Sequence, residues 1–389
     1  VTDQTADQEA AVAAPIIPLS APWLDERESA RAAEALRARL AGNGPFTQRV
    51  EERLSQRLDG SRVLLTTSCT HALELALLAL GIGPGQDVIC PSFTFVSTAN
   101  AILRVGARPV FADIEGRTLG LDVADVERRL TPRTTALLPV HYAGVAPDMD
   151  ELMDLARSRS LRVVEDAAQG LGATYHGRPL GTIGDAGCYS FHETKNVTCG
   201  EGGALSVKDP DLAARAEVMR EKGTNRSAFL RGEVDKYTWV SEGSSYVMSD
   251  VLAAILDAQL DKFDDIHARR RRVAARYADE LADWSRAAGA RLPPVFADRR
   301  ANDHLFFLLM ADGDARDRGL AHLRQAGVQA TFHYVPLHSS PFGRSLQADA
   351  PVLPVTERVA ATLLRLPLHP GLTDADVDRV VAAVRSFPG

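Results

Sequence analysis

The chain has 389 residues, of which 45% are hydrophobic and 24% charged, and a formal net charge of −7. That length exceeds the roughly 250 to 300 residues one core accommodates, so a large domain with a smaller companion is expected; the acidic balance gives no global field to hold a nucleic-acid backbone or an anionic membrane surface. There is no run of about 18 apolar residues that would predict a membrane span, and four cysteines without CxxC or Cys/His spacing point to reduced thiols in a cytoplasmic protein.

Residues 1–15 are rich in Ala, Gln and Asp and carry neither a basic nor an apolar leader pattern, so they read as a flexible tail. Helical periodicity over Asp25–Leu40 is broken by Gly42-Asn-Gly-Pro45, and a second helix follows over Thr47–Leu58. From Arg62 onward, short β-branched runs alternate with helical ones. Arg62–Thr66, Asp87–Cys90, Arg108–Phe111, Ala136–Val140 and Arg162–Glu165 read as strands; Thr70–Leu80, Val96–Leu103, Val123–Leu130 and Met149–Arg157 read as helices. Such βαβ alternation predicts an α/β fold with a mostly parallel sheet covered on both faces. Two further strands, Ala186–Phe191 and Gly203–Val207, precede a helix over Leu212–Lys222, an irregular polar stretch over Gly223–Ser249 and one long helix over Asp250–Trp284. A strand at His304–Met310, a helix at Asp314–Ala326, a Pro-containing segment to Pro354 and two closing helices make an α+β tail. The expected division is a large domain over 16–287 and a small C-terminal domain over 288–389.

Four features occur in an order that suits pyridoxal 5′-phosphate (PLP). Thr67-Ser-Cys-Thr70 lies between a strand and a helix start, where free N–H groups and the helix dipole favour a phosphate; taken alone, a plain N-cap is the better account of it. The apolar strand Val163-Val164 ends in Glu165-Asp166, and a carboxylate there can keep a pyridine nitrogen protonated so that the ring serves as an electron sink. Strand alternation sends the two acids to opposite faces, so Asp166 suits that role and Glu165 is left a structural one. The run Cys188–Asn196 leads a strand into a polar turn carrying Lys195, whose amine can bond covalently to the cofactor aldehyde if its surroundings keep it partly unprotonated. Gly200-Glu-Gly-Gly203 then permits close backbone approach. Position 196 is Asn, so His192-Glu193 does not complete a zinc-type HExxH, and neither GxGxxG after a strand nor a GxxxxGK[ST] loop is present.

The runs Ser190-Phe-His-Glu-Thr-Lys-Asn196, Pro91-Ser-Phe-Thr-Phe-Val-Ser-Thr-Ala-Asn100, Pro139-Val-His-Tyr-Ala-Gly144 and Glu165-Asp-Ala-Ala-Gln169 resemble the DegT/StrS sugar aminotransferase family over essentially the whole chain, from about Ile16 to Phe387. Arg220–Ser227, Asp235–Trp239 and Gly243–Asp250 narrow the likeness to the WecE type, which aminates the 4-keto group of dTDP-4-keto-6-deoxy-D-glucose. Many family members read Gly-Tyr-Asn-Tyr-Arg where this chain has Gly243-Ser-Ser-Tyr-Val247, so the contacts of that Asn or Arg do not carry over; the WecE type shares the change.

The resemblance implies a fold-type I PLP transferase acting as a homodimer with active sites at the subunit interface, taking a nucleotide sugar and L-glutamate. Residue by residue, Lys195 is the cofactor-bonding lysine, Asp166 the partner of the pyridine nitrogen, Gln169 a neighbour of the ring and Phe95 the residue stacked on it. Ser68, Cys69, Thr70 and Ser190 cradle the phosphate, Asn225 reaches the phosphate of the other subunit's cofactor, and Tyr334 and His338 line the sugar pocket. Relatives that dehydrate sugars at C3 carry His in place of this lysine, whereas position 195 is Lys. A 3-keto-sugar aminotransferase or a PLP-binding sugar sensor without turnover would use the same scaffold.

Overall fold

The computed structural model of the chain describes residues 15–38, 40–346 and 351–388; the tail expected over 1–15 lies outside them except for Pro15. In chain order the elements are α1 (Glu26–Ala38), α2 (Pro45–Arg57), β1 (Arg62–Thr66), α3 (Cys69–Ala79), β2 (Asp87–Pro91), α4 (Val96–Arg104), β3 (Arg108–Ala112), α5 (Val123–Arg128), β4 (Thr134–Leu137), α6 (Met149–Ser158), β5 (Arg162–Asp166), β6 (Thr174–Tyr175), β7 (Arg178–Pro179), β8 (Ala186–Ser190) and β9 (Gly203–Val207). They continue with α7 (Pro210–Arg220), α8 (Arg226–Leu230), α9 (Asp250–Asp261), α10 (Phe263–Glu280), α11 (Ala282–Ala287), β10 (Arg299–Arg300), β11 (Phe306–Leu309), α12 (Gly313–Gln325), α13 (Pro341–Ser345), α14 (Pro354–Thr362), β12 (Leu363–Leu366) and α15 (Asp374–Arg385).

The large sheet has the order β1-β9-β8-β5-β4-β2-β3. All its strands run parallel except β9, which is antiparallel to both β8 and β1. Side-chain alternation sorts each strand between two apolar layers. Leu64, Val88, Val164 and Leu205 pack with α3, α4 and α7 on one face; Val63 and Leu65 join α2 and α9, and Ile89, Leu137 and Val163 join α6, on the other. A sheet buried on both faces has no solvated side on which to place a charge, so every polar residue along it needs an internal partner or a ligand.

The C-terminal strands β11 and β12 pair antiparallel and share a core with α12 and α15, into which Val273 and Tyr277 of α10 and Leu281 just after it also project. The single helix expected over Asp250–Trp284 is three, α9, α10 and α11. Its first break falls at Lys262 (φ −101°, ψ 8°). This residue is fully buried, and its ammonium is drawn to Glu28 at 2.5 Å and Asp25 at 3.2 Å. Periodicity is nearly blind to a one-residue irregularity of this kind. Two other differences are the short α8 inside the stretch expected to be irregular, and β12, which follows α14 with no turn signal between them.

Glu165 is a main tie of this frame. Fully buried, it accepts from Gly181 N–H (2.8 Å), Ile183 N–H (2.6 Å) and Gly184 N–H (2.7 Å) and bonds His141 Nε2 at 2.7 Å. Burial alone would raise its pKa, but His141 and the N–H groups of Gly184 and Gly181 outweigh burial and hold it below the usual carboxylate range. A depressed acid stabilises the fold fully above its unfolded value of about 4.3 and loses that contribution as pH falls through the lower folded value. Glu165→Ala is expected to cost about 3–5 kcal/mol in the denaturant unfolding of the apoprotein and to flatten its stability profile in that acid range. An unchanged unfolding midpoint would show that the tie carries no stability.

Candidate active site

The carboxyl ends of the parallel strands face one crevice, the usual ligand side of an open α/β sheet. Beyond β1, Ser68 in extended backbone (φ −162°, ψ 164°) caps α3 by accepting from His71 N–H at 3.1 Å. Among the described residues no protein acceptor takes the N–H groups of Cys69 and Thr70, the first of the helix. The Thr70 hydroxyl donates to Ser97 Oγ at 2.8 Å. Strand β9 runs directly behind this turn. A Cβ at Gly203 would lie 2.3 Å from the Ser68 carbonyl carbon and 2.4 Å from Cys69 N, so only glycine lets the antiparallel strand support the cup so closely.

Asp166 ends β5 on the face opposite Glu165 and is 5% exposed. Thr98 Oγ1 donates to its Oδ2 at 2.8 Å and Ala168 N–H to its Oδ1 at 3.1 Å; Thr94 in turn bonds Thr98 at 2.8 Å. Burial pushes the Asp166 carboxyl up despite these donors, so a cation placed against it, such as a protonated pyridine nitrogen, would relieve the cost of its charge. Glu165 and Asp166 are thus neighbours in sequence with opposite situations: the first has a full set of partners, and the second keeps acceptor capacity for a ligand.

Lys195 sits in the turn between β8 and β9, its N–H bonded to His192 O at 2.9 Å. Burial lowers the pKa of its amine, while the fields of Cys69 and Asp166 act the other way. The adjacent Asn196 is buried and anchored. Its Nδ2 donates to Asn302 O at 2.9 Å, and its Oδ1 receives the Nδ1 proton of His304 at 2.9 Å. Asn302 Nδ2 continues to Gln169 O (2.7 Å) and Leu171 O (2.9 Å). The lysine turn, the segment after β5 and the approach to β11 are therefore locked together. Burial, reinforced by Lys195, keeps His304 well below its ordinary pKa and hence neutral.

Gln169 Oε1 accepts from Ala143 N–H at 2.7 Å, and its Nε2 donates to Tyr334 Oη at 3.2 Å. Phe95, at the start of α4, is 58% exposed, with its ring 6.5 Å from that of Tyr334. Ser190 Oγ accepts from His192 N–H at 3.3 Å. Two expected site residues lie apart from this group. Asn225 bonds Lys236 O (3.2 Å) and Thr238 N–H (2.7 Å) within its own loop. His338 is 3% exposed, with ring bonds to Ser92 Oγ (2.7 Å) and Glu357 Oε1 (3.3 Å).

Sequence reading passed over Thr98, Tyr142, Asn196, His304, His333 and Arg365. Thr98, Tyr142 and Asn196 fall inside the motif runs that carry the family likeness, which was the available signal. His333 stands next to Tyr334, which the family likeness already placed in the sugar pocket, whereas His304 and Arg365 have no such signal, because they reach the site only when the C-terminal segment packs against it.

The residues fit PLP: a buried amine, a buried carboxylate and a helix start with open N–H groups share one crevice. Residues 22–385 match the DegT/DnrJ/EryC1/StrS aminotransferase family. The chain is 36% identical over 382 residues to the spore coat polysaccharide biosynthesis protein SpsC of Bacillus subtilis (strain 168), covering 95% of this chain and 97% of that protein. Among solved structures it is similar to the aminotransferase TlmJ of Streptoalloteichus hindustanus (TM-score 0.87, 34% identity, 96% and 98% of the two chains). It is also similar to the PLP form of the putative sugar aminotransferase Spr1654 of Streptococcus pneumoniae (TM-score 0.88, 27% identity, 96% and 98%). The chain belongs to the DegT/DnrJ/EryC1/StrS aminotransferase family and is a PLP-dependent sugar aminotransferase of fold-type I.

Proposed function

We propose that this enzyme moves the amino group of L-glutamate to the C4 keto group of a dTDP-4-keto-6-deoxyhexose, giving a dTDP-4-amino-4,6-dideoxy sugar and 2-oxoglutarate, and that it works as a cytoplasmic homodimer. The observation that carries the reaction type is a lysine, not a histidine, at position 195, its amine buried in the same crevice as the Asp166 carboxylate. Support for a 4-keto substrate comes from the WecE-like segments between Arg220 and Asp250.

In this reading Lys195, Asp166, Gln169 and Phe95 hold the cofactor ring, while Ser68, Cys69, Thr70 and Ser190 take its phosphate together with the N–H groups that open α3. PLP bound there supplies an electron sink for charge developing at the reacting carbon. Lys195 takes the proton from the donor Cα and later delivers one to sugar C4, which calls for an amine less basic than a free lysine; burial shifts it in that direction. Asp166 keeps its negative charge against the ring nitrogen, with Thr98 and Ala168 fixing its orientation. Asn225 serves the other subunit's cofactor and Tyr334 belongs to the wall of the sugar pocket, whereas His338, buried with both ring nitrogens bonded to Ser92 and Glu357, has none left for a sugar.

The purified holoenzyme should absorb near the blue edge of the visible and bleach with L-glutamate. Lys195→Ala should lose that bleaching by about 10³-fold or more in rate; a variant that still transaminates would overturn the mechanism. Asp166→Asn should slow the donor half-reaction by about 10- to 100-fold, the worth of a hydrogen bond to a charged group, and an unaltered rate would remove Asp166 from its role. Product analysis with several dTDP-keto sugars and glutamate should yield a 4-amino sugar; turnover of free amino acids with no sugar accepted would end the substrate assignment.

A further inference from the structure

His304 stands in the approach to β11, just after a bend that Asp303 makes in left-handed backbone (φ 53°). Arg270 of α10, only 4% exposed, grips that bend: its Nε donates to Asp303 O at 2.9 Å and its Nη2 to His304 O at 2.7 Å. No carboxylate among the described residues forms an ion pair with Arg270; that of Asp303 faces Arg271 instead, at 3.7 Å. Asp303 and Leu305 line the cavity beneath residues 293–300, whereas the His304 ring turns to Asn196, the neighbour of Lys195. A buried unpaired cation and a left-handed non-glycine residue are both costly, and together they fix the aim of one imidazole.

The protonation of that ring is set by its partner. Asn196 Nδ2 donates to Asn302 O, so the atom turned to His304 is Oδ1, which only accepts; the ring proton therefore sits on Nδ1, and Nε2 is a bare lone pair. A second proton is opposed by burial first, then by Lys195, Arg270, Arg365 and His333. Nε2 is thus held as an acceptor, and no donor among the described residues occupies it. Of the surrounding cations Lys195 acts on His304 most strongly. Arg270 is spent on the two carbonyls, and Arg365 Nη1, on β12, donates to His333 Nε2 at 2.8 Å. The Lys195 amine has no hydrogen-bond acceptor among the described residues. The other groups whose charge reaches it are Cys69, Asp166 and Arg365. Burial keeps the Cys69 thiol protonated, and Asp166 is engaged by Thr98 and Ala168.

We propose that His304 is a positioning residue for proton transfer, its Nε2 accepting a hydrogen bond from the Lys195 ammonium that forms when the lysine takes the substrate proton. The inference goes beyond the function proposed above and rests on its assignment of Lys195 as the proton carrier. In the transfer a C–H bond of the substrate breaks and an N–H bond forms on Nζ; His304 shares that proton by hydrogen bond and does not take it. Burial disfavours the ammonium, and a fixed neutral acceptor offsets part of that cost without placing a second charge in the crevice.

Substitution separates the two ring nitrogens. His304→Asn keeps a donor where Nδ1 stands and removes the acceptor, whereas His304→Gln keeps an acceptor where Nε2 stands and gives up the bond to Asn196. The glutamate and sugar-nucleotide half-reactions of each holoenzyme are followed separately by cofactor absorbance. At saturating substrate His304→Asn should slow both by about 10- to 100-fold, the worth of a hydrogen bond to a charged group. It should also move the acidic limb of both pH–rate profiles to lower pH, because an ammonium without its acceptor gives up its proton more readily. His304→Gln should recover most of both effects. In the apoprotein, the pH dependence of Lys195 acetylation by acetic anhydride, read by mass spectrometry, should shift to lower pH in His304→Asn and return in His304→Gln. Wild-type rates and an unmoved limb in His304→Asn, a loss in His304→Gln as large as in His304→Asn, or a change confined to substrate Kd or to one half-reaction would each overturn the proposal. If Lys195→Ala still transaminates, the assignment of Lys195 falls and this inference with it; wild-type behaviour of His304→Asn beside an inactive Lys195→Ala overturns this inference alone.

Discussion

A parallel sheet covered on both faces offers no water to a charged side chain along its length, and this constraint organises the molecule. At the end of β5 two adjacent carboxylates, Glu165 and Asp166, are forced onto opposite faces of that sheet. Glu165 receives three backbone N–H groups and His141, so it behaves as a peg holding the turn between β7 and β8. Asp166 receives one hydroxyl and one N–H, and its remaining capacity faces the crevice. The division of labour follows from geometry, since only the crevice side lies beyond the strand ends.

The same burial sets the chemistry. Removing Lys195 and Asp166 from water disfavours both charged forms, lowering the amine and raising the carboxyl. Burial works against the ionic form of each, and a cofactor offering an aldehyde to one and a protonated nitrogen to the other would offset both costs. The clamp from Asn196 through His304 and Asn302 to Gln169 keeps the lysine turn from relaxing toward solvent, which would return the amine to its ordinary basicity. Positioning and pKa tuning are here the work of one set of contacts.

The parallel sheet was legible because βαβ periodicity is local: strand runs of four or five residues separated by amphipathic helices leave few other topologies. The reversal of β9 was not, since direction within a sheet is a matter of pairing rather than pattern. The need for glycine at position 203 likewise shows only once β9 is seen to press against the Ser68–Cys69 peptide. The break at Lys262 was hidden for a related reason: this buried lysine pairs with Asp25 and Glu28, more than two hundred residues away in the chain, and local periodicity does not record such contacts.

By itself the sequence determined the α/β class, the chain order of the large-sheet strands and the helices between them, and the residue types the chemistry requires, with Lys195, Asp166 and the Ser68–Thr70 turn just beyond strand ends where a ligand can meet them. These depend on near neighbours, and short-range periodicity, caps and turn residues record them faithfully. Only the tertiary structure decided which of Glu165 and Asp166 is saturated, which groups lose water, and that His304, His333 and Arg365 of the C-terminal segment join the crevice. Desolvation and unpaired hydrogen-bonding edges are properties of a closed surface, and a chain acquires them only when distant segments pack.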